Sequence, residues 1–168
     1  MRNFLSHLEC TETGETYSAD APHTLSPGAQ KVLYPRYDLE SAKRAIDRRA
    51  VLERPASIWR YFELMPVRDE ANVVTMGEGG TPLLRARRLE AAEGARTLYV
   101  KDEGLNPTGS FKARGVSAAV SRAKELGLRK LTVPSAGNAA GALAAYCARA
   151  GMECHVFMPE DAPEANKK

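Results

Sequence analysis

The 168 residues carry 24 Lys and Arg against 21 Asp and Glu, a net charge of +3, with 43% hydrophobic and 27% charged residues. This is ordinary soluble-globular composition, and a chain of this length buries a core without disulfide or metal staples. The small, interspersed charge excess offers no basic patch for nucleic acid, and neither a ~20-residue apolar span nor a signal-peptide core is present, so membrane partners are not expected. Cys10, Cys147 and Cys154 fit neither a disulfide framework nor a four-ligand zinc site, which makes the reducing cytoplasm the default compartment.

The first 75 residues read as a small irregular extension. Thr13-Gly14 is a turn signal between β-compatible stretches, predicting a hairpin over 8–17. Pro22, Pro27-Gly28 and Pro35 then punctuate a loop-rich segment. From Asp38 the spacing of Leu39, Ala42, Ala45, Ile46 and Ala50 predicts a helix closed by Pro55. Ser57 is a suitable N-cap for a short helix carrying Ile58, Tyr61, Phe62 and Met65, with Trp59 in the core and Pro66 as the stop.

Residues 76–168 have a different character. A glycine-dense loop over 77–82 leads to a helix-like stretch over 83–93 and a strand over 97–101 (TLYVK). Phe111, Val116, Ala119, Val120, Ala123 and Leu126 form a helical stripe ending at Gly127. A strand over 130–134, a helix over 139–150 that is apolar nearly all round, and a strand over 153–158 follow. Strand–helix–strand–helix–strand with short links predicts an α/β fold with a parallel, doubly wound sheet. Three parallel strands with open edges are a poor stopping point, so the chain is expected to be the N-terminal part of a longer protein. Such sheets bind ligands beyond the carboxyl ends of their strands, here loops 102–112 and 135–140.

The first loop contains Asn106-Pro-Thr-Gly-Ser-Phe-Lys112-Ala-Arg-Gly115, with Thr108 or Ser110 available as helix cap. Lys112 falls in the first helical turn, where the positive end of the macrodipole favours the neutral amine that imine formation requires. Taken singly, a solvated surface lysine is the far commoner reading of such a residue. The second loop, Ser135-Ala136-Gly137-Asn138-Ala139, opens a helix whose free amides suit a carboxylate or phosphate. Gly137 allows close approach and the Asn138 amide can donate, although plain capping by Ser135 or Asn138 explains the same residues. Neither a dinucleotide fingerprint nor a phosphate loop is present.

Together the two loops resemble the cofactor-lysine motif and the asparagine loop of the tryptophan synthase β-type (fold type II) pyridoxal-phosphate enzymes. Within that superfamily, Gly77-Glu-Gly-Gly-Thr-Pro-Leu83 and Ser57-Ile-Trp-Arg-Tyr-Phe-Glu-Leu-Met-Pro66 are similar to the threonine synthase branch. The resemblance implies pyridoxal 5'-phosphate as cofactor, held as an imine by Lys112, with Asn138 bonded to its 3-hydroxyl oxygen. It implies that Ser135, Ala136, Gly137, Asn138 and Ala139 hold the substrate α-carboxylate. The implied reaction converts O-phosphohomoserine and water to threonine and phosphate, in a homodimer. The cofactor serves a threonine/serine dehydratase or a β-replacement synthase equally well, and a binding or regulatory role with a vestigial site is the non-enzyme reading.

Some residues depart from the family pattern. Ala113 stands where many relatives carry an acid, Cys10 has no Cys-x-x-Cys partner, and the family's cofactor-phosphate loop lies downstream of residue 168. His7, His23 and His155 show no ligand spacing and suggest no metal site. Arg85, Arg87 and Arg88 read as a solvated face, or as an attraction for a phosphorylated substrate.

Overall fold

The structure, a computed structural model, describes residues 1–167. The described residues form a mixed α/β structure with three small sheets. The N-terminal sheet is antiparallel, ordered β2-β1-β3 with β1 Leu5–Cys10, β2 Thr16–Ser18 and β3 Leu33–Tyr37. The expected hairpin is present, turning where Gly14 adopts φ +72° and donates its amide to the Cys10 carbonyl. β3 was not legible, because Pro35 argued for loop. The strand lies at the sheet edge, where a missing N–H breaks no central ladder.

The helix expected from Asp38 to Pro55 is two helices, α1 Leu39–Ala45 and α2 Arg48–Glu53. The break falls at Asp47, whose side chain accepts from the Arg49 amide and starts the second helix, as Asp38 starts the first by accepting from Ser41. Ser57 does cap the next element, accepting from the Trp59 amide, but Ile58–Leu64 is 3-10 helix kinked at Tyr61. Trp59, Phe62 and Val67 form a small buried cluster there.

Residues 83–93 are only partly helical. Leu83–Arg85 is a strand, β4, and helix α3 runs over Arg87–Ala92. β4 pairs antiparallel with β5, Tyr99–Lys101. The TLYVK strand therefore lies in a separate two-stranded sheet rather than beside the next two strands. An antiparallel partner a short way upstream needs no crossover, and bonds from Ala86 N to Leu98 O and Asp102 N to Pro82 O extend the pairing at both ends.

Among the described residues, parallel pairing is confined to β6 Lys130–Pro134 and β7 Glu153–Phe157, joined by α5 Asn138–Ala150. Helix α4, Lys112–Glu125, packs on α5. Gly127 and Gly151 end these helices at φ +76° and +66°, each followed by an amide reaching back into the last turn. Val74, Ala113, Val120, Ala123, Leu143, Tyr146, Cys147 and Met152 make the main core between α4, α5 and the parallel strands. α5 is less enclosed than its composition suggested: Gly141, Ala144, Ala148 and Arg149 face solvent. A short helix, α6, follows at Glu164–Lys167.

Candidate cofactor and substrate site

The lysine loop is built around Glu103. Its carboxylate receives Arg114 Nε at 2.6 Å and Nη2 at 2.7 Å, the Thr81 hydroxyl at 2.5 Å and the Asn106 amide at 2.9 Å. Arg114 foremost, then Thr81, hold the Glu103 carboxyl down at about 2. Asn106 in turn accepts the Gly79 amide through Oδ1 at 3.0 Å, tying the lysine loop to the glycine-dense loop. Between Asn106 and Lys112 the backbone turns through Thr108 and Gly109 at φ +67° and +68°, a rare conformation for a β-branched residue. Ser110 rather than Thr108 caps the start of α4, accepting from the Lys112 amide at 3.3 Å.

Lys112 is the first residue of α4, half-buried, with its ammonium 4.3 Å from the centre of the Phe111 ring. Phe111 itself is exposed, so the expected apolar stripe begins at Val116 instead. The helix that the second loop opens, α5, packs against both α4 and the turn at Pro107–Gly109. Asn138 is the first residue of α5 and exposed; its carboxamide makes no hydrogen bond among the described residues. Ser135 is half-buried, donates its amide to the Phe157 carbonyl and accepts from the Gly137 amide at 3.3 Å. Gly137 precedes the helix and its carbonyl receives Ala140 and Gly141. Ala136 and Ala139 are half-buried beside it. The amides of Asn138 and Ala139 have no acceptor among the described residues, the open helix start that an anionic group fills.

A primary amine, an unused carboxamide and two open amides at neighbouring helix starts fit a cofactor with an aldehyde, a ring hydroxyl and an anionic ligand beside it. Among the described residues no group of His, Cys, Asp or Glu is arranged to hold a metal ion.

Sequence reasoning missed the groups that support these loops. Glu78 is fully buried. Its Oε1 accepts from Trp59 Nε1 at 2.8 Å and the Ser117 hydroxyl at 2.5 Å, and its Oε2 from the Met76 amide at 3.0 Å and the Tyr146 hydroxyl. Burial pushes its carboxyl up, but the hydroxyls of Ser117 and Tyr146 and the backbone amides outweigh that and leave it lowered. Tyr146 is raised by burial and by the same contact. The available signal was an acid set among Gly77, Gly79 and Gly80, which a solvated loop does not explain. Arg85 pairs with Glu90, at 2.9 Å, while Arg87 and Arg88 are exposed.

An amine at the start of one helix and open amides at the start of another are compatible with a class of protein that holds an anionic carbonyl cofactor. The chain belongs to the pyridoxal-phosphate dependent enzyme family, whose profile matches residues 74–168. The family's cofactor is pyridoxal phosphate. Among curated proteins the chain is 44% identical to a threonine synthase of Methanocaldococcus jannaschii over 152 residues, which is 90% of this chain and 37% of that protein. It is 42% identical to a threonine synthase of Methanosarcina acetivorans, covering 91% of this chain and 37% of that protein. Against a threonine synthase of Halalkalibacterium halodurans the identity is 49%, covering 62% and 30%. The chain thus spans less than two-fifths of these relatives' length.

Proposed function

We propose that this chain carries the lysine-bearing part of a threonine synthase, acting on O-phospho-L-homoserine and water to give L-threonine and phosphate. The observation that carries the reading is the packing of α5, which Asn138 begins, on α4, which Lys112 begins, and on the 107–109 turn. The similarity to threonine synthases over nine-tenths of the chain supports the substrate. The parallel β6–α5–β7 unit supports a doubly wound sheet of the fold type II kind.

When bound, the cofactor supplies an electron sink for carbanions next to the amino-bearing carbon. Lys112 Nζ would hold it and would move protons at Cα and Cβ, with phosphate leaving Cγ and water adding at Cβ. Asn138 donates its carboxamide to the ring hydroxyl oxygen. The open amides of Asn138 and Ala139, with Ser135, Ala136 and Gly137, orient the substrate carboxylate.

The test uses the full-length protein loaded with pyridoxal phosphate, reduced with borohydride and mapped by peptide. The label is expected on Lys112; a label on Lys101 or Lys124 refutes the assignment. Asn138→Ala is expected to keep the label while shifting the pH dependence of the cofactor's absorption, losing a bond worth about 1–3 kcal/mol. Threonine and phosphate should form from phosphohomoserine and not in Lys112→Ala. Faster turnover of threonine or O-acetylserine would favour a dehydratase or a β-replacement synthase.

A further inference from the structure

Glu78 forms no salt bridge among the described residues, yet it is fully buried. A carboxylate in that position is costly unless donors surround it, and an apolar side chain would fill the same space more cheaply. Its four donors come from four places: Trp59 in the 58–64 segment, Met76 in its own loop, Ser117 on α4 and Tyr146 on α5. Ser117 is five residues after Lys112 on the same helix, and Tyr146 is eight residues after Asn138. Each therefore sits within about two turns of the helix start that bears the proposed site residue. The backbone repeats the connection. The Glu78 carbonyl accepts the Ile58 amide at 2.9 Å, and the next residue, Gly79, donates to Asn106 in the lysine loop. A carboxylate shared by Ser117 and Tyr146 fixes how far α4 and α5 slide and turn against each other, which neighbouring apolar contacts alone specify less sharply.

We propose that Glu78 is a positioning residue that sets Lys112 against Asn138 by bridging Ser117 and Tyr146; the inference rests on the roles proposed above for Lys112 and Asn138. Glu78 touches neither of those side chains and acts only through the two helices.

The test compares wild type with Glu78→Gln, Tyr146→Phe and Ser117→Ala in the full-length protein. The Trp59 indole N–H donates to Glu78, so its hydrogen-exchange protection reports whether the cluster stays assembled. In cofactor-free protein, amide exchange over 116–119 and 142–145 is expected to rise about tenfold in Glu78→Gln, with the β1–β3 sheet unchanged. Tyr146→Phe should loosen chiefly α5 and Ser117→Ala chiefly α4. In protein loaded with pyridoxal phosphate, the pH midpoint of the visible absorption should move by about half a unit or more in Glu78→Gln and in Tyr146→Phe. Unchanged exchange in both helices, or an unchanged midpoint in variants that fold and retain the cofactor, overturns the proposal. Should Glu78→Gln not fold, Tyr146→Phe and Ser117→Ala decide alone. A wild-type protein that takes no label on Lys112 defeats the functional reading and the positioning role with it, while the cofactor-free exchange still shows whether Glu78 couples the helices.

Discussion

Glu103 shows how a single side chain organises the lysine loop. Its carboxylate is held at about 2 against an ordinary 4.5 by Arg114, Thr81 and Asn106. A depressed folded-state value means that the ionised form stabilises the fold above the unfolded value, and that this contribution disappears as pH falls from about 4.5 through about 2. The melting temperature of the wild type should therefore fall more steeply across that window than that of Glu103→Gln, which starts lower at neutral pH. Thermal melts at half-unit intervals check this, and parallel curves would mean that solvent screens the pair. Lys112 could be singled out as a candidate because a contiguous motif surrounds it. Glu103 and Arg114 were not, because eleven residues and a left-handed turn at Thr108 and Gly109 separate partners that meet only in three dimensions.

At the scale of elements, Gly80 in the glycine-dense loop is needed for space, whereas Gly151 at the end of α5 is needed only for conformation. A Cβ at Gly80 would lie 2.3 Å from the Ala56 carbonyl oxygen, at φ +60°. Gly151 ends α5 at φ +66° with nothing within 4 Å of such a Cβ. Gly151→Ala should then cost about 1 kcal/mol, the left-handed penalty alone. Gly80→Ala should cost about 3 kcal/mol, because backbone must also move. Urea unfolding of both variants tests the difference, and equal costs would show that the Ala56 contact yields easily. Helix ends were readable from local chemistry: Asp38, Ser57, Gly127 and Gly151 all act where the sequence or its turn signals placed an end. The pairing of β5 was not, because TLYVK is compatible with either a parallel or an antiparallel neighbour.

Across the whole molecule, the N-terminal sheet is joined to α4 by a charged cluster. Arg122 bonds the Ala19 carbonyl, Asp20 and Glu125, and Arg68 reaches Asp20 at 2.6 Å and the Leu5 carbonyl at 2.9 Å. Glu125 also accepts the amides of Arg68 and Asp69. The Arg122 side chain is only 13% exposed and Glu125 11%, while Asp20 is 58% exposed, so removal of Arg122 strands chiefly Glu125. Arg122→Ala should lose about 2–3 kcal/mol in urea unfolding and raise amide exchange in β1 and β2, whereas a loss below about 0.5 kcal/mol would mark the cluster as an ordinary surface pair.

The sequence by itself determined what depends on near neighbours: the Thr13-Gly14 hairpin, the cap at Ser57, the α4 and α5 helices, and the two loops whose motifs point to a pyridoxal-phosphate family. These rest on backbone conformations and hydrogen bonds closed within a few residues, so local residue types suffice to specify them. Only the tertiary structure decided that β5 turns to β4, that Pro35 lies in an edge strand, and that Glu78 gathers Trp59, Ser117 and Tyr146. Those contacts join residues up to 68 positions apart. Their partners are chosen by which buried polar groups must be satisfied once the helices pack, a condition that no local pattern records.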